Sequence, residues 1–237
     1  MAAFTVIHFE KTGSTNDEAR RLAREGAPHG TAVHADEQTD GRGRLTRRWF
    51  SPPGNLYLSV VLRLDVEPAR RSELGFVVAL AVAETVNTLL PRQTRASLKW
   101  PNDVLVGGAK IAGILLEALE DGAVIAGMGL NILHAPTGTA YRTTTIAASG
   151  GVASVDTTRD TLLDRLEAHL TAWETEGFAP IRQAWLEQAH PIGTMLRVMR
   201  DGHIVEGAFA GLGPDGALLL DNSDGRVRVI AGDVEAG

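Results

Sequence analysis

The run LKWPNDVLVGGAKIAGILLE, residues 98–117, constrains the fold more than any other stretch of this chain. Two apolar runs are separated only by Gly107-Gly108. Paired glycines between strand-like runs mark a two-residue hairpin, because both central positions of the favoured turn need positive φ. Charge gathers at the base of this hairpin. Lys99, Asn102 and Asp103 flank a Trp-Pro turn, and Lys110 opens the returning strand close to that turn. Turn capping and edge-strand decoration would account for Asn102, Asp103 and a lysine. Lys110, however, sits among Ala, Ile, Ala, Gly and Ile, where a lone cation is costly unless partnered. Two lysines, an amide and a carboxylate in one place suit the phosphates of a Mg-nucleotide.

The flanking sequence supplies the rest of an α+β domain. Phe4 to Phe9 is β-prone. Thr15 and Glu18 fit a capping box, followed by Ala19, Leu22 and Ala23 on one helical face and Gly26 as a stop. Leu56, Leu58, Val60, Leu62 and Leu64 alternate with Tyr57, Ser59 and Arg63, the pattern of a half-buried strand. A long apolar helix is expected from Arg70 to Leu90, ended by Pro91, and AVIAGMGLNIL reads as a strand interrupted by Gly127 and Gly129. Helical spacing returns over 161–176, and Pro180 suits the first turn of another helix. The loosest segment is 134–154, rich in Thr, Ser, Ala and Gly. After Pro191 the character changes: Asp-Gly pairs at 201–202, 215–216 and 224–225 punctuate short apolar runs, a meander best read as a small barrel. The boundary is expected at 190/191, with a 1–190 ligand-binding domain and a 191–237 appendage.

Net charge is −6 and there is no cysteine among 237 residues. Disulfides, thiolate metal sites and a cysteine nucleophile are therefore excluded, and the charge disfavours a general nucleic-acid binder. No signal pattern or spanning run is legible, so a cytoplasmic protein without membrane contact is expected. Against this acidic background GRGRLTRRWFSP, from Gly41, places Arg42, Arg44, Arg47 and Arg48 on one short loop. Charge runs usually face solvent. Yet the glycines allow close backbone approach, and guanidinium forks fit carboxylate or phosphate, so an anion held by the loop is the sharper reading. On that reading the four cations repel one another, and the loop orders when the anion arrives. In GMGLNI the glycines mark a close approach and Asn131 offers donors and acceptors, although the Gly-Lys-Ser/Thr ending of a P-loop is missing. STN, Ser14 to Asn16, opens a helix and also presents hydroxyl and amide groups.

Together STN, EQTDGRGR…RRWFSP…NLYLS, KWPND…AKIAGILLE and GMGLNI resemble the biotin protein ligases, in that family's order and over nearly the whole chain. The resemblance implies a mixed sheet with helices, related to the class II aminoacyl-tRNA synthetase fold, plus a small C-terminal SH3-like barrel. It implies adenylation of biotin with ATP and Mg2+, then transfer to a lysine of a biotin carboxyl carrier domain. Carried onto this sequence, the biotin pocket comprises Ser14, Thr15, Asn16, Gln38, Arg42, Gly43, Arg44, Lys110 and Gly113. The nucleotide falls to Arg44, Arg47, Trp49, Lys99, Asn102, Asp103 and Asn131, with Asp103 near the metal and Trp49 near the adenine. Lys110, Arg44 and Arg42 are the expected catalytic cations, and Lys110 bridges the biotin carboxylate and the α-phosphate. Thr46 stands where the family often has glycine, and ordinary backbone is expected there; Asp40 is placed to pair with one arginine. STN begins at residue 14, so no N-terminal DNA-binding domain and no operator binding are expected. A homodimer through edge strands of the sheet is compatible with the resemblance. The competing readings are a lipoate–protein ligase, a basic–aromatic nucleic-acid module built on Arg42 to Trp49, and a non-catalytic biotin sensor. Phosphate-directed cations such as Lys110 and Lys99 argue against the last.

Overall fold

The computed structural model describes residues 4–44, 47–200 and 202–235. Its first part is a seven-stranded mixed sheet in the order β1-β2-β3-β7-β6-β5-β4. Strand β1 (Thr5–Thr12) pairs parallel with β2 (Thr31–Gln38) across helix α1 (Thr15–Arg24). All other neighbours are antiparallel: β3 (Leu56–Leu62), β7 (Val124–Leu130), β6 (Ala109–Ala118), β5 (Asp103–Val106) and β4 (Ala96–Lys99). Gly107 and Gly108, at φ +56° and +73°, make the β5–β6 hairpin turn that the sequence announces.

Helices cover both faces. A 3-10 segment, Pro68–Glu73, runs into α2 (Leu74–Leu89), which packs with α3 (Val155–Glu176) and α4 (Phe178–Glu187) over one face. This is the main core, centred on Trp173, Trp185 and the leucines and valines of α2 and β3. On the other face α1 seals a smaller cluster with Ala19, Ala23, Val33, Val61 and Ile125. The two layers explain one departure from the sequence reading. β3 is buried along its whole length rather than half-buried, because Leu56, Leu58, Val60 and Leu62 enter the main core while α1 and the cleft cover Tyr57, Ser59 and Val61. The stretch Pro68–Leu89 has the length and hydropathy to cross a membrane, yet two-thirds of that window is buried inside the fold. It is the core helix.

Two other departures come from contacts with distant parts of the chain. α1 has no capping box: Ser14 occupies the N-cap without a side-chain bond, and Thr15 Oγ1 reaches Gln38 instead. β7 continues through Gly127 and Gly129, because both glycines keep their pairings and make room for side chains lying across the strand. In α3 the cap is conventional, Ser154 Oγ accepting from Thr157 N at 3.1 Å.

After the helices come β8 (Met195–Arg200), β9 (His203–Leu212), β10 (Leu218–Asn222), β11 (Gly225–Val229) and β12 (Asp233–Glu235), an antiparallel sheet in the order β11-β10-β9-β8-β12. Among the described residues its two edges, β11 and β12, do not pair, so the hydrogen-bond ladder stays open. Val198, Phe209, Leu218, Leu220 and Val229 bury one face, continuous with the main core. Trp100 Nε1 donates to Gly216 O at 3.2 Å, and Arg182 Nη1 to Leu212 O at 3.1 Å. The first bond holds the sheet against the base of the β5–β6 hairpin and the second against α4, and β12 lies beside the cleft.

Candidate active site

A cleft of roughly 640 Å3, counting its open mouth, lies over the middle of the large sheet. Its floor is made from the glycines of β6 and β7. Gly113 pairs with Gly129, and the Trp49 ring lies across that pair; a Cβ on Gly129 would stand 2.5 Å from the ring and one on Gly113 2.9 Å. Gly127 serves Asn16 in the same way, since any side chain there would run into the Asn16 amide.

The closed end of the cleft is polar. Thr15 N and Oγ1 donate to Gln38 Oε1 at 2.8 and 3.1 Å, and Gln38 Nε2 donates to Ser51 Oγ at 2.9 Å. Ser59 Oγ lies 2.7 Å from Thr15 Oγ1 and 2.6 Å from Asn16 Oδ1, and Asn16 Nδ2 donates to Glu117 Oε2 at 2.7 Å. Ser14, Thr15, Asn16 and Ser59 are all buried. A buried network of this kind is stable only when its members satisfy one another, and it fixes the pocket's donors and acceptors in place.

The middle of the cleft belongs to Lys110. Between Val104 and Leu105 the β5–β6 register shifts by one residue, a bulge on the β6 side at Ile111. Ile111, Ala112 and Ile114 therefore face the core, while Lys110 stays on the cleft side with Gly113: a Cβ there would be 3.3 Å from Lys110 Cε and Nζ. Lys110 Nζ reaches Asp103 Oδ1 at 2.6 Å and lies 5.3 Å and 5.5 Å from the ring centroids of Trp49 and Tyr141. The loop expected to be loosest holds this strand end, with Lys110 N donating to Arg142 O at 2.8 Å and Thr144 N to Lys110 O at 2.9 Å.

Beyond Lys110 a second depression opens, lined by Lys99, Trp100, Asn102, Asp103 and Asp233, and it shares Arg47, Asn102, Lys110 and Tyr141 with the first. Lys99 is mostly buried and stands 4.0 Å from Asp103 Oδ2. Burial holds its pKa below the usual lysine value, and the nearby Lys110 and Arg47 charges push the same way against Asp103 and Asp233. Asn102 is locked by bonds in both directions with Ile114, at 2.8 and 3.0 Å. Asn131 lies in a third recess beside Trp49, its Nδ2 donating to Thr144 O at 3.1 Å while Oδ1 is buried with no hydrogen-bond partner among the described residues.

The two sides of the arginine loop run antiparallel, Gly43 N donating to Arg47 O at 2.7 Å and Trp49 N to Gly41 O at 2.8 Å. Its cations are not left to repel one another. Arg42 meets Glu117 and Asp17 at 2.7 and 2.8 Å; Arg44 and Arg47 share Asp233 at 3.1 and 2.8 Å; Arg48 meets Asp40 at 2.9 Å. Each of the four arginines thus meets a carboxylate of its own chain. Leu45 and Thr46 lie outside the described residues, and the expectation for Thr46 with them.

Ser14, Thr15, Asn16, Gln38, Arg42, Gly43, Arg44, Lys110 and Gly113 all line the first cleft, together with Arg47, Trp49 and Asn102. Lys99 and Asp103 line the second depression. Sequence reasoning passed over Glu117, Asp17, Tyr141 and Asp233. Glu117 closes an apolar strand and carried a signal, an acid ending GILLE; the other three carry none until the chain is folded.

A polar pocket thus adjoins a depression lined by lysines, an arginine and two carboxylates, and Lys110 and Arg47 are the cations common to both. The model of the Biotin/lipoate A/B protein ligase family matches residues 8–132, more than half of the chain, and that of the Biotin protein ligase C terminal domain matches 192–237. The chain is 37% identical over 239 residues to the biotin--[acetyl-CoA-carboxylase] ligase of Paracoccus denitrificans, covering 96% of this chain and 98% of that one. It is 36% identical to the ligase of the same name from Mycobacterium tuberculosis, covering 94% and 86%. The biotin protein ligase of Aquifex aeolicus, solved in complex with biotin and ATP, superposes with a TM-score of 0.83 at 27% identity, over 98% of this chain and 97% of that one. The chain belongs to the biotin protein ligase family.

Proposed function

We propose that this protein adenylates biotin with ATP and transfers the biotinyl group to a lysine of a biotin carboxyl carrier domain. The observation that carries this reading is the placement of Lys110 where the polar pocket and the basic depression meet. Thr15, Asn16, Gln38 and Ser59 offer fixed donors and acceptors suited to a ureido ring. The glycine floor under Trp49 leaves a flat apolar wall for the rest of the ligand.

In the first step a biotin carboxylate oxygen attacks the α-phosphorus of ATP, forming a C–O–P bond as the bond to pyrophosphate breaks. Two anions must approach in line, and Lys110, Arg42 and Arg44 supply positive charge already oriented for it. Arg47, Lys99, Asn102, Trp49 and Asn131 hold the nucleotide. In the second step a neutral lysine amine attacks the acyl carbon, AMP leaves with the electron pair of the broken C–O bond, and the proton released from the amine passes to solvent. Asp103 and Asp233 are the carboxylates facing the nucleotide depression. They fit Mg2+, which takes one or two carboxylates and otherwise phosphate and water, and the ion would offset phosphate charge. Since both acids are engaged by Lys or Arg, arriving phosphates take those cations over.

DNA is not a partner on this reading, because the net charge is −6 and disfavours a general nucleic-acid binder. The activity belongs to the cytoplasm, and a homodimer through the sheet edge is compatible with it. Pyrophosphate release from Mg-ATP, measured with biotin, with lipoate and with neither, tests the proposal. Biotin-dependent release is expected. Release with lipoate alone would transfer the chain to the lipoate side of the family, and release with neither would remove the adenylation reading.

A further inference from the structure

Away from the cleft, β1 and β2 bring His8, His34 and Asp36 together. His8 and His34 are register partners in the parallel pair, so their side chains leave the sheet on the same face, and Asp36 follows His34 by two residues on that face. The imidazoles stack at 5.2 Å between centroids, His8 Nε2 lies 3.0 Å from Asp36 Oδ1, and one ligand atom from each of the three residues falls within 4.8 Å of the others. His34 is 2% exposed, and neither of its ring nitrogens has a hydrogen-bond partner among the described residues.

An exposed His8–Asp36 ion pair accounts for two of these groups. It leaves the third unexplained, because a buried imidazole with both nitrogens unsatisfied gives up its hydration for nothing. We propose that His8, His34 and Asp36 form a site for a borderline divalent transition metal such as Zn2+ or Ni2+. Two imidazoles and a carboxylate are the donor set these ions take, whereas Mg2+ and Ca2+ prefer oxygen alone. His34 is the fixed ligand, held in the sheet interior. His8 and Asp36 have side chains nearly half exposed, which leaves an entry path and lets both adjust around an ion whose bonds are about 2.0–2.2 Å. The Arg159 charge acts against a cation at His34; Asp36 and Asp156 act for it, and Arg159 is itself paired with Asp156 and Asp160. The ion joins the sheet's edge strand to its neighbour. It stands four residues before Gln38, roughly 13 Å along β2 from the polar pocket, and so clear of the chemistry.

The test uses the full chain, stripped with chelator and titrated with ZnCl2 by calorimetry and with CoCl2 by visible absorption. One ion per chain is expected, with cobalt d–d bands and a Tm that rises with Zn2+. His8→Asn or Asp36→Asn should each weaken binding by at least about tenfold, and the double variant should abolish both the bands and the Tm rise while biotin-dependent pyrophosphate release stays at the wild-type rate. His34→Gln should also abolish binding, with circular dichroism confirming that the variant folds. Stoichiometric binding that survives the double variant, binding that never saturates, or an equal Tm rise with MgCl2 would each overturn the site.

Discussion

Replacing Lys110 by alanine separates chemistry from folding at one position. The side chain is mostly buried, its Nζ sits 2.6 Å from Asp103, and it is the ammonium shared by the two depressions. Losing one preorganised group that meets developing charge lowers turnover by about 10²–10³, equivalent to roughly 2.7–4 kcal/mol. Folding suffers less. Asp103 keeps Lys99 at 4.0 Å, so the loss is that of one charged hydrogen bond, about 1–3 kcal/mol. For a chain of this size that lowers Tm by roughly 2–4 °C per kcal/mol. The two effects part in Lys110→Ala itself: Tm should fall only by that amount and calorimetry should still detect biotin in the pocket, while biotin-dependent pyrophosphate release drops by the larger factor. Near-normal release by Lys110→Ala would show that the lysine serves the fold and not the reaction.

Gly127→Ala should weaken biotin binding by about tenfold or more and leave ATP binding near wild type, because the added methyl drives Asn16 from its place beside Ser59. Equal loss of both ligands in parallel titrations would count against that. Burial, followed by the charges of Arg159 and His8, holds the His34 pKa below its ordinary 6.5. The unfolded chain therefore takes up this proton first: the contribution is whole above pH about 6.5 and is lost as pH falls through the depressed folded value. Metal-free protein should lose Tm across that acid window, and His34→Gln should flatten that part of the profile; an unchanged profile refutes the assignment.

The hairpin at Gly107-Gly108 and the end of α2 before Pro91 were legible because a two-residue glycine turn and a proline act locally. What escaped depended on distant chain. The capping box at Thr15 and Glu18 is locally sound, yet Gln38, 23 residues away, takes the Thr15 hydroxyl. The alternation in β3 promises one wet face, and only the return of α1 over the sheet dries it. The bulge that turns Lys110 to the cleft leaves no mark, since AKIAGILLE would alternate just as well without it. The residues that line the clefts were legible through co-occurring motifs, whereas Asp233 and Glu117, which pair with the loop arginines, are ordinary acids until the fold brings them near.

β3 is a wall one strand thick. Leu58 and Val60 point into the core and Ser59 into the polar pocket, so the same backbone serves as foundation and as binding surface. Because side chains alternate, a slip of one residue would put leucine in the pocket and serine in the core. A one-residue slip is then opposed by the core itself: a strand that has packed Leu58 and Val60 inward in native register has Ser59 at the closed end of the cleft. Folding and readiness to bind are, at this strand, a single event.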